Sequence, residues 1–211
     1  MGMISGIEEI RGRVTIYVDG VAFLKLKKKE FDELPVEVGE DLDEEEYLNR
    51  LCMRQAKPAY ESALNLLTAR DMTAHDMISA LKRRGYLEPV AESVCERLIE
   101  NRLIDDSRYA QRYVELRQDS AVGRYAMKRK LRAKGIDENV AEEALEVLDD
   151  ESQLATAKEL AKKLSRRYEK EEPYARKSKL SQALARRGYS WDIVREAIES
   201  LGMDEDFDPD W

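Results

Sequence analysis

Side chains able to do acid–base, covalent or metal chemistry are sparse in this sequence. His75 is the single histidine, and it stands beside Asp76 at the start of a predicted helix. A metal site needs several such ligands, so a lone imidazole there reads as a surface or capping group. Cys52 and Cys95 are the two cysteines and lack CxxC spacing. They read as small apolar side chains with reduced thiols. The carboxylate pairs Asp105-Asp106 and Asp149-Asp150 open predicted helices. There they cap backbone N–H groups and meet the positive end of the helix dipole. No glycine-rich phosphate loop of the GxxxxGK[ST] or GxGxxG kind is present. No nucleophile, base or metal set converges, so neither an enzyme nor a bound metal or cofactor is expected.

The cations are different. Lys82, Arg83 and Arg84 precede Gly85; Arg124, Lys128, Arg129, Arg132 and Lys134 precede Gly135; Arg176, Lys177, Lys179, Arg186 and Arg187 precede Gly188. Arg108, Arg112 and Arg117 flank a further predicted helix. Cations near a helix C-terminus favour the dipole and solubility, which accounts for two or three per helix. Three successive helices placing them at matching positions call for an anionic partner, either carboxylates or phosphates. Tyr109, Tyr113, Tyr125, Tyr168 and Tyr189 lie among them. They could stack on bases, but helical spacing makes most of them core.

The elements that carry these cations repeat. Leu81-Lys82-Arg83-Arg84-Gly85-Tyr86 returns as Leu131-Arg132-Ala133-Lys134-Gly135-Ile136 and as Leu184-Ala185-Arg186-Arg187-Gly188-Tyr189, at spacings of 50 and 53 residues. Val90, Val140 and Ile193 follow each leucine by nine residues, and Leu98, Leu148 and Leu201 by seventeen. A shared downstream frame in three copies is the signature of a tandem repeat. In each copy the leucine is a buried contact, the glycine closes the helix in the left-handed conformation, and the apolar residue after it folds back on the last turn. Each copy reads as three helices, with boundaries at 58–102, 103–149 and 150–202. Thr73, Asp105 and Ser190 are expected N-caps.

Ahead of the repeats, Arg13–Val18 and Val21–Leu26 are β-branched and aromatic runs joined by Asp19-Gly20, a hairpin signal. Residues 1–36 are expected to form this β region, with Lys27-Lys28-Lys29 as its solvated strand end. Residues 37–57 read as an acidic linker entering a short helix near Asp43, and 203–211 as an acidic disordered tail. The fold expected is mainly α: an elongated, curved array of three three-helix repeats behind a small N-terminal β-hairpin region.

Charge is segregated along the chain. Its formal net value is −8, yet residues 108–134 hold 9 basic and 2 acidic side chains, and 158–187 hold 11 and 4. An acidic whole argues against a general nucleic-acid binder, while the two basic blocks point one face at an anion. No apolar run reaches membrane length and no basic-then-apolar leader is evident. A cytoplasmic monomer is expected.

The three-helix repeats, the Leu-x-x-(Lys/Arg)-Gly helix endings and the stretch Leu103-Ile104-Asp105-Asp106-x-Arg108-Tyr109-Ala110 resemble the RecX family, bacterial regulators of the RecA recombinase. The resemblance covers residues 58–201 and is most specific over Leu103–Tyr113 and Leu131–Asp137. It implies a non-enzymatic protein that docks in the groove of the RecA–single-stranded-DNA filament and limits filament growth, ATP hydrolysis and strand exchange. Weak non-specific DNA binding is a further expectation. The alternative, from three-helix units bearing a basic helix, is a helix-turn-helix DNA-binding protein.

Overall fold

The computed structural model describes residues 1–202; the acidic segment 203–211 lies outside the described residues. The described chain forms two compact units, Met1–Ile104 and Asp105 onward.

The first unit begins with a four-stranded antiparallel sheet in the order β3-β2-β1-β4, where β1 is Gly2–Ile10, β2 Arg13–Val18, β3 Val21–Lys27 and β4 Asp41–Leu42. The hairpin read from Asp19-Gly20 is β2–β3, with Val18 opposite Val21. Both turn residues have positive φ, 49° and 82°, as a type I′ turn requires. A second two-residue turn, Arg11-Gly12, has φ of 51° and 73° and joins β1 to β2. A lone hairpin is marginal; here β1 and β4 widen it. Val14, Ile16 and Val18 alternate to one face and are buried. Ile16 and Val18 pack with Ile4, Leu26 and the helix residues Tyr47 and Leu51.

Two features of this region differ from the sequence reading. Lys27-Lys28-Lys29 is not a solvated strand end. Lys27 closes β3 and Lys28 opens the short helix α1 (Lys28–Glu33), where its ammonium pairs with Glu9 at 3.2 Å and Asp32 at 3.1 Å. The boundary expected at 57/58 falls inside one continuous helix, α2 (Glu44–Ala69). Tyr47, Leu51, Gln55, Ala59 and Ala63 recur every four residues along it, so one buried stripe runs through the expected break. Pro58 lies on its exposed side, where water can satisfy the carbonyl that proline leaves unpaired. The N-cap is Asp43, which accepts from the Glu46 N–H at 3.0 Å.

Helices α3 (Ala74–Arg83) and α4 (Glu88–Glu100) complete the first repeat on α2. Met77, Leu81, Val90, Val94, Leu98 and Ile104 share its core. Buried Gln55 ties α1 to the start of α4: its Nε2 donates to Glu30 Oε1 at 2.8 Å, and its Oε1 accepts from the Leu87 N–H at 2.8 Å.

The second unit holds α5 (Asp106–Glu115), α6 (Arg124–Ala133) and α7 (Glu138–Leu145), then α8 (Asp150–Arg167), α9 (Pro173–Arg186) and α10 (Trp191–Glu199). Each trio has its own core, one around Val114, Met127, Leu131 and Leu145, the other around Leu160, Leu180, Leu184 and Val194.

Candidate protein and nucleic-acid interface

The three Leu-to-Gly stretches end their helices identically. Tyr86 N–H bonds to the Leu81 carbonyl at 3.2 Å, Ile136 to Leu131 at 3.2 Å and Tyr189 to Leu184 at 3.4 Å. The glycine N–H in each bonds three residues back, to Lys82, Arg132 and Ala185 at 2.9 Å. Gly85, Gly135 and Gly188 have φ of 90°, 73° and 86°. This crossed pair of bonds is the Schellman motif, which satisfies carbonyls that the helix end would otherwise leave open. The repeat is therefore architecture first, and the cations are what it presents.

In the second unit the third turn also builds the joint between trios. Gly123, the N-cap of α6, meets the Gly188 backbone with no room for a Cβ on either glycine. Gly123 N–H donates to the Arg187 carbonyl at 2.8 Å and Tyr125 N–H to the Gly188 carbonyl at 3.0 Å. Buried Gln153 accepts from the Arg124 N–H at 3.0 Å. The open donors at the start of α6 are thus taken by the end of α9 and the start of α8.

That joint and the local ion pairs absorb many of the expected site residues. The Arg124 guanidinium donates to the Leu148 carbonyl, and Arg187 Nη1 to the Ala121 carbonyl at 3.1 Å. Arg176 Nη2 donates to the Ser165 carbonyl at 3.3 Å and to its hydroxyl. Lys128 pairs with Glu138 at 2.8 Å and Glu142 at 2.6 Å. Its ammonium is held above the usual lysine range, chiefly by the hydrogen bond to Glu138. Arg117 stacks 4.1 Å from the Tyr113 ring centre, and Lys179 pairs with Glu171. In the first unit Lys82 pairs with Glu88, and Arg84 reaches the Ser62 hydroxyl. Arg112, Lys134 and Lys177 also have intrachain partners.

Arg83, Arg108, Arg129, Arg132 and Arg186 are the exposed remainder. Among the described residues, none of their side chains makes a hydrogen bond or ion pair; Arg132 only adds its charge to the field that lowers the Glu138 pKa. Sequence reasoning passed over Lys130, which is exposed between Arg129 and Arg132, and Lys162, Lys163, Arg166 and Arg167, exposed along α8. A count of exposed cations per helix would have found them. Of the tyrosines, Tyr189 is buried, Tyr109, Tyr113 and Tyr168 are half-buried against the cores, and Tyr125 is exposed. The acids near the sequence pairs are structural: Asp105 Oδ1 accepts from the Arg108 N–H at 2.9 Å and Asp149 Oδ1 from the Ser152 N–H at 2.6 Å. His75 is exposed in the first turn of α3. No helix of the described residues is long and apolar enough to cross a membrane.

Known proteins share this frame. The family models for the first, second and third three-helix domains of RecX match residues 59–98, 105–145 and 150–198. The regulatory protein RecX of Limosilactobacillus reuteri (strain DSM 20016) is 33% identical over 204 residues, 94% of this chain and 77% of that protein. The regulatory protein RecX of Clostridioides difficile (strain 630) is 29% identical over 212 residues, 99% of this chain and all of that protein. A crystal structure of regulatory protein RecX superposes with a TM-score of 0.67 at 29% identity, covering 94% of this chain and all of the other. The structure of RecX from Lactobacillus salivarius gives 0.64 at 30% identity, over 72% of this chain. With three domain models in register and relatives matched along nearly its whole length, the chain belongs to the RecX family.

Proposed function

We propose that this RecX-family regulatory protein acts on the RecA recombinase. It docks in the groove of the RecA–single-stranded-DNA filament and limits filament growth, ATP hydrolysis and strand exchange. The observation that carries the reading is on α6: among the described residues its exposed cations Arg129, Lys130 and Arg132 have no ion pair or hydrogen bond, while Arg124 and Lys128 on the same helix are spent inside the fold. Guanidinium forks suit carboxylates and phosphates alike, so these side chains can grip acidic filament residues or the DNA backbone. Arg108 and Arg186 add to the same unit's positive surface. The role is that of a binding protein, without turnover, resident in the cytoplasm.

RecA's DNA-dependent ATPase, assayed with stoichiometric amounts of the protein, tests this. Inhibition that weakens as salt rises is expected, because each phosphate contact contributes a salt-dependent increment. An ATPase rate indifferent to the protein would overturn it. The second reading, a helix-turn-helix duplex binder, predicts a sequence-specific footprint. The exposed basic helix favours it, but the burial of the start of α6 in the joint counts against it, since recognition helices read bases from their N-terminal residues.

A further inference from the structure

The outer face of the N-terminal sheet carries a second positive surface that the family frame does not include. Pairing with β2 puts Arg13 directly opposite Lys27, and Thr15 opposite Lys25. Because Val14 and Leu26 face the core, these four share the outer face. Like charges directly opposite on neighbouring strands are destabilising. An edge strand such as β3 needs one lysine to discourage strand pairing; it does not need an arginine set against a second lysine.

The first Schellman turn adds to this. A Cβ at Gly85 would lie 3.1 Å from Lys27 Cε and 3.9 Å from Arg13 Nη1, so both cations lean on the turn that ends α3. The Lys27 ammonium stands 4.9 Å from the Tyr86 ring centre. Arg83, exposed and without an intrachain partner among the described residues, lies two residues before Gly85. The nearby carboxylates all have intrachain partners, and Glu8, opposite Thr15 on β1, shares the outer face and keeps its charge. Glu8 accepts from the Tyr17 hydroxyl at 2.9 Å, Glu9 pairs with Lys28, Glu88 pairs with Lys82, and Glu30 accepts from the Lys27 N–H and from Gln55. Arg13 and Lys25 are exposed and make no ion pair among the described residues.

We infer that Arg13, Lys25, Lys27 and Arg83 form a docking surface for the sugar–phosphate backbone of a single-stranded nucleic acid. The chemistry favours a nucleic acid over an acidic peptide because of Tyr17. Its ring lies over Gly6 on the same sheet face, with the would-be Cβ of that glycine 3.7 Å from the ring. An aromatic face beside a row of cations is how unspecific single-strand binders hold bases and backbone together. A carboxylate-bearing segment would use the cations and leave the ring idle.

The test needs no RecA, so its outcome is separate from that of the filament reading. The full chain carrying Arg129→Ala, Lys130→Ala and Arg132→Ala serves as background, to mute the second unit. Binding of a labelled 20-nucleotide oligothymidylate is followed by anisotropy across a salt series. Adding Arg13→Ser, Lys25→Ser and Arg83→Ser should weaken binding at low salt by about tenfold or more and flatten the log–log salt slope by about 2, at roughly 0.7 per lost single-strand phosphate contact. An unchanged slope would overturn the assignment. So would a poly-glutamate peptide of equal length that displaces the oligonucleotide at equal concentration. If the triple change lowers the melting temperature, Lys25→Ser alone decides: it sits on the exposed edge strand, and a slope reduced by about 0.7 supports the surface while an unaltered one refutes it.

Discussion

At the scale of single residues, Lys128 separates structural cations from available ones. Its hydrogen bond holds the Glu138 carboxyl below its usual value of 4.5 and is the largest cause of that shift. A depressed carboxylate stabilises the fold above its unfolded pKa, and that contribution is lost as pH falls through the folded one. The raised lysine contributes below its unfolded pKa and stops as pH climbs through the folded value. The pair therefore holds across neutral pH and fails at both ends. An NMR titration should put the Glu138 midpoint below 4.5, rising in Lys128→Met; an identical midpoint in both proteins would show that the contact does not persist in solution. Arg124→Ala should cost about 1–2 kcal/mol in thermal melts, by stranding the Leu148 carbonyl. Arg129→Ala should stay within about 0.5 kcal/mol, as expected of an exposed side chain without a bond. The types and spacing of the cations were legible in the sequence. Their division into used and unused was not, because the groups that engage Arg124, Lys128 and Arg187 lie 24, 14 and 66 residues away.

At the scale of elements, the helix endings were the most legible part, since Leu and Gly at fixed offsets leave few other conformations. Gly135→Val should destabilise by about 1–2 kcal/mol through left-handed strain at φ 73°. Gly123 makes a contrasting case. Its φ of −79° suits any residue, so Gly123→Ala carries no backbone strain. Its cost, about 1–3 kcal/mol by overpacking, comes from the Gly188 backbone against it. A melt equal to that of the parent would mean the two trios are not joined there. The sequence showed only that Gly123 interrupts a run, because the close approach depends on a turn 65 residues later. A fourth ending, that of α4, gave no signal at all. Arg102 follows α4 at φ 57° with the same crossed bonds, to Ile99 at 2.8 Å and from Leu103 to Leu98 at 2.8 Å. Arg102→Gly should therefore raise stability by up to about 1 kcal/mol.

At the scale of the whole molecule, charge is sorted by region more than the net value of −8 suggests. Residues 1–56 hold 8 basic and 13 acidic side chains, yet the acids go into caps, ion pairs and the α2 start while Arg13 and Lys25 stay open. The three-helix frame could be read from the repeat, and the β2–β3 hairpin from its turn. The strands β1 and β4 could not: Gly2, Gly6 and the two outward acids Glu8 and Glu9 obscure alternation in one, and the other is two residues long. The central claim, that the exposed cations of this RecX-family chain bind the RecA filament, is met most directly by co-sedimentation with RecA assembled on single-stranded DNA. The protein should pellet with filaments, and the Arg129→Ala, Lys130→Ala, Arg132→Ala variant, folded by its melt, should stay in the supernatant. Equal pelleting of both, or of neither, would contradict the account.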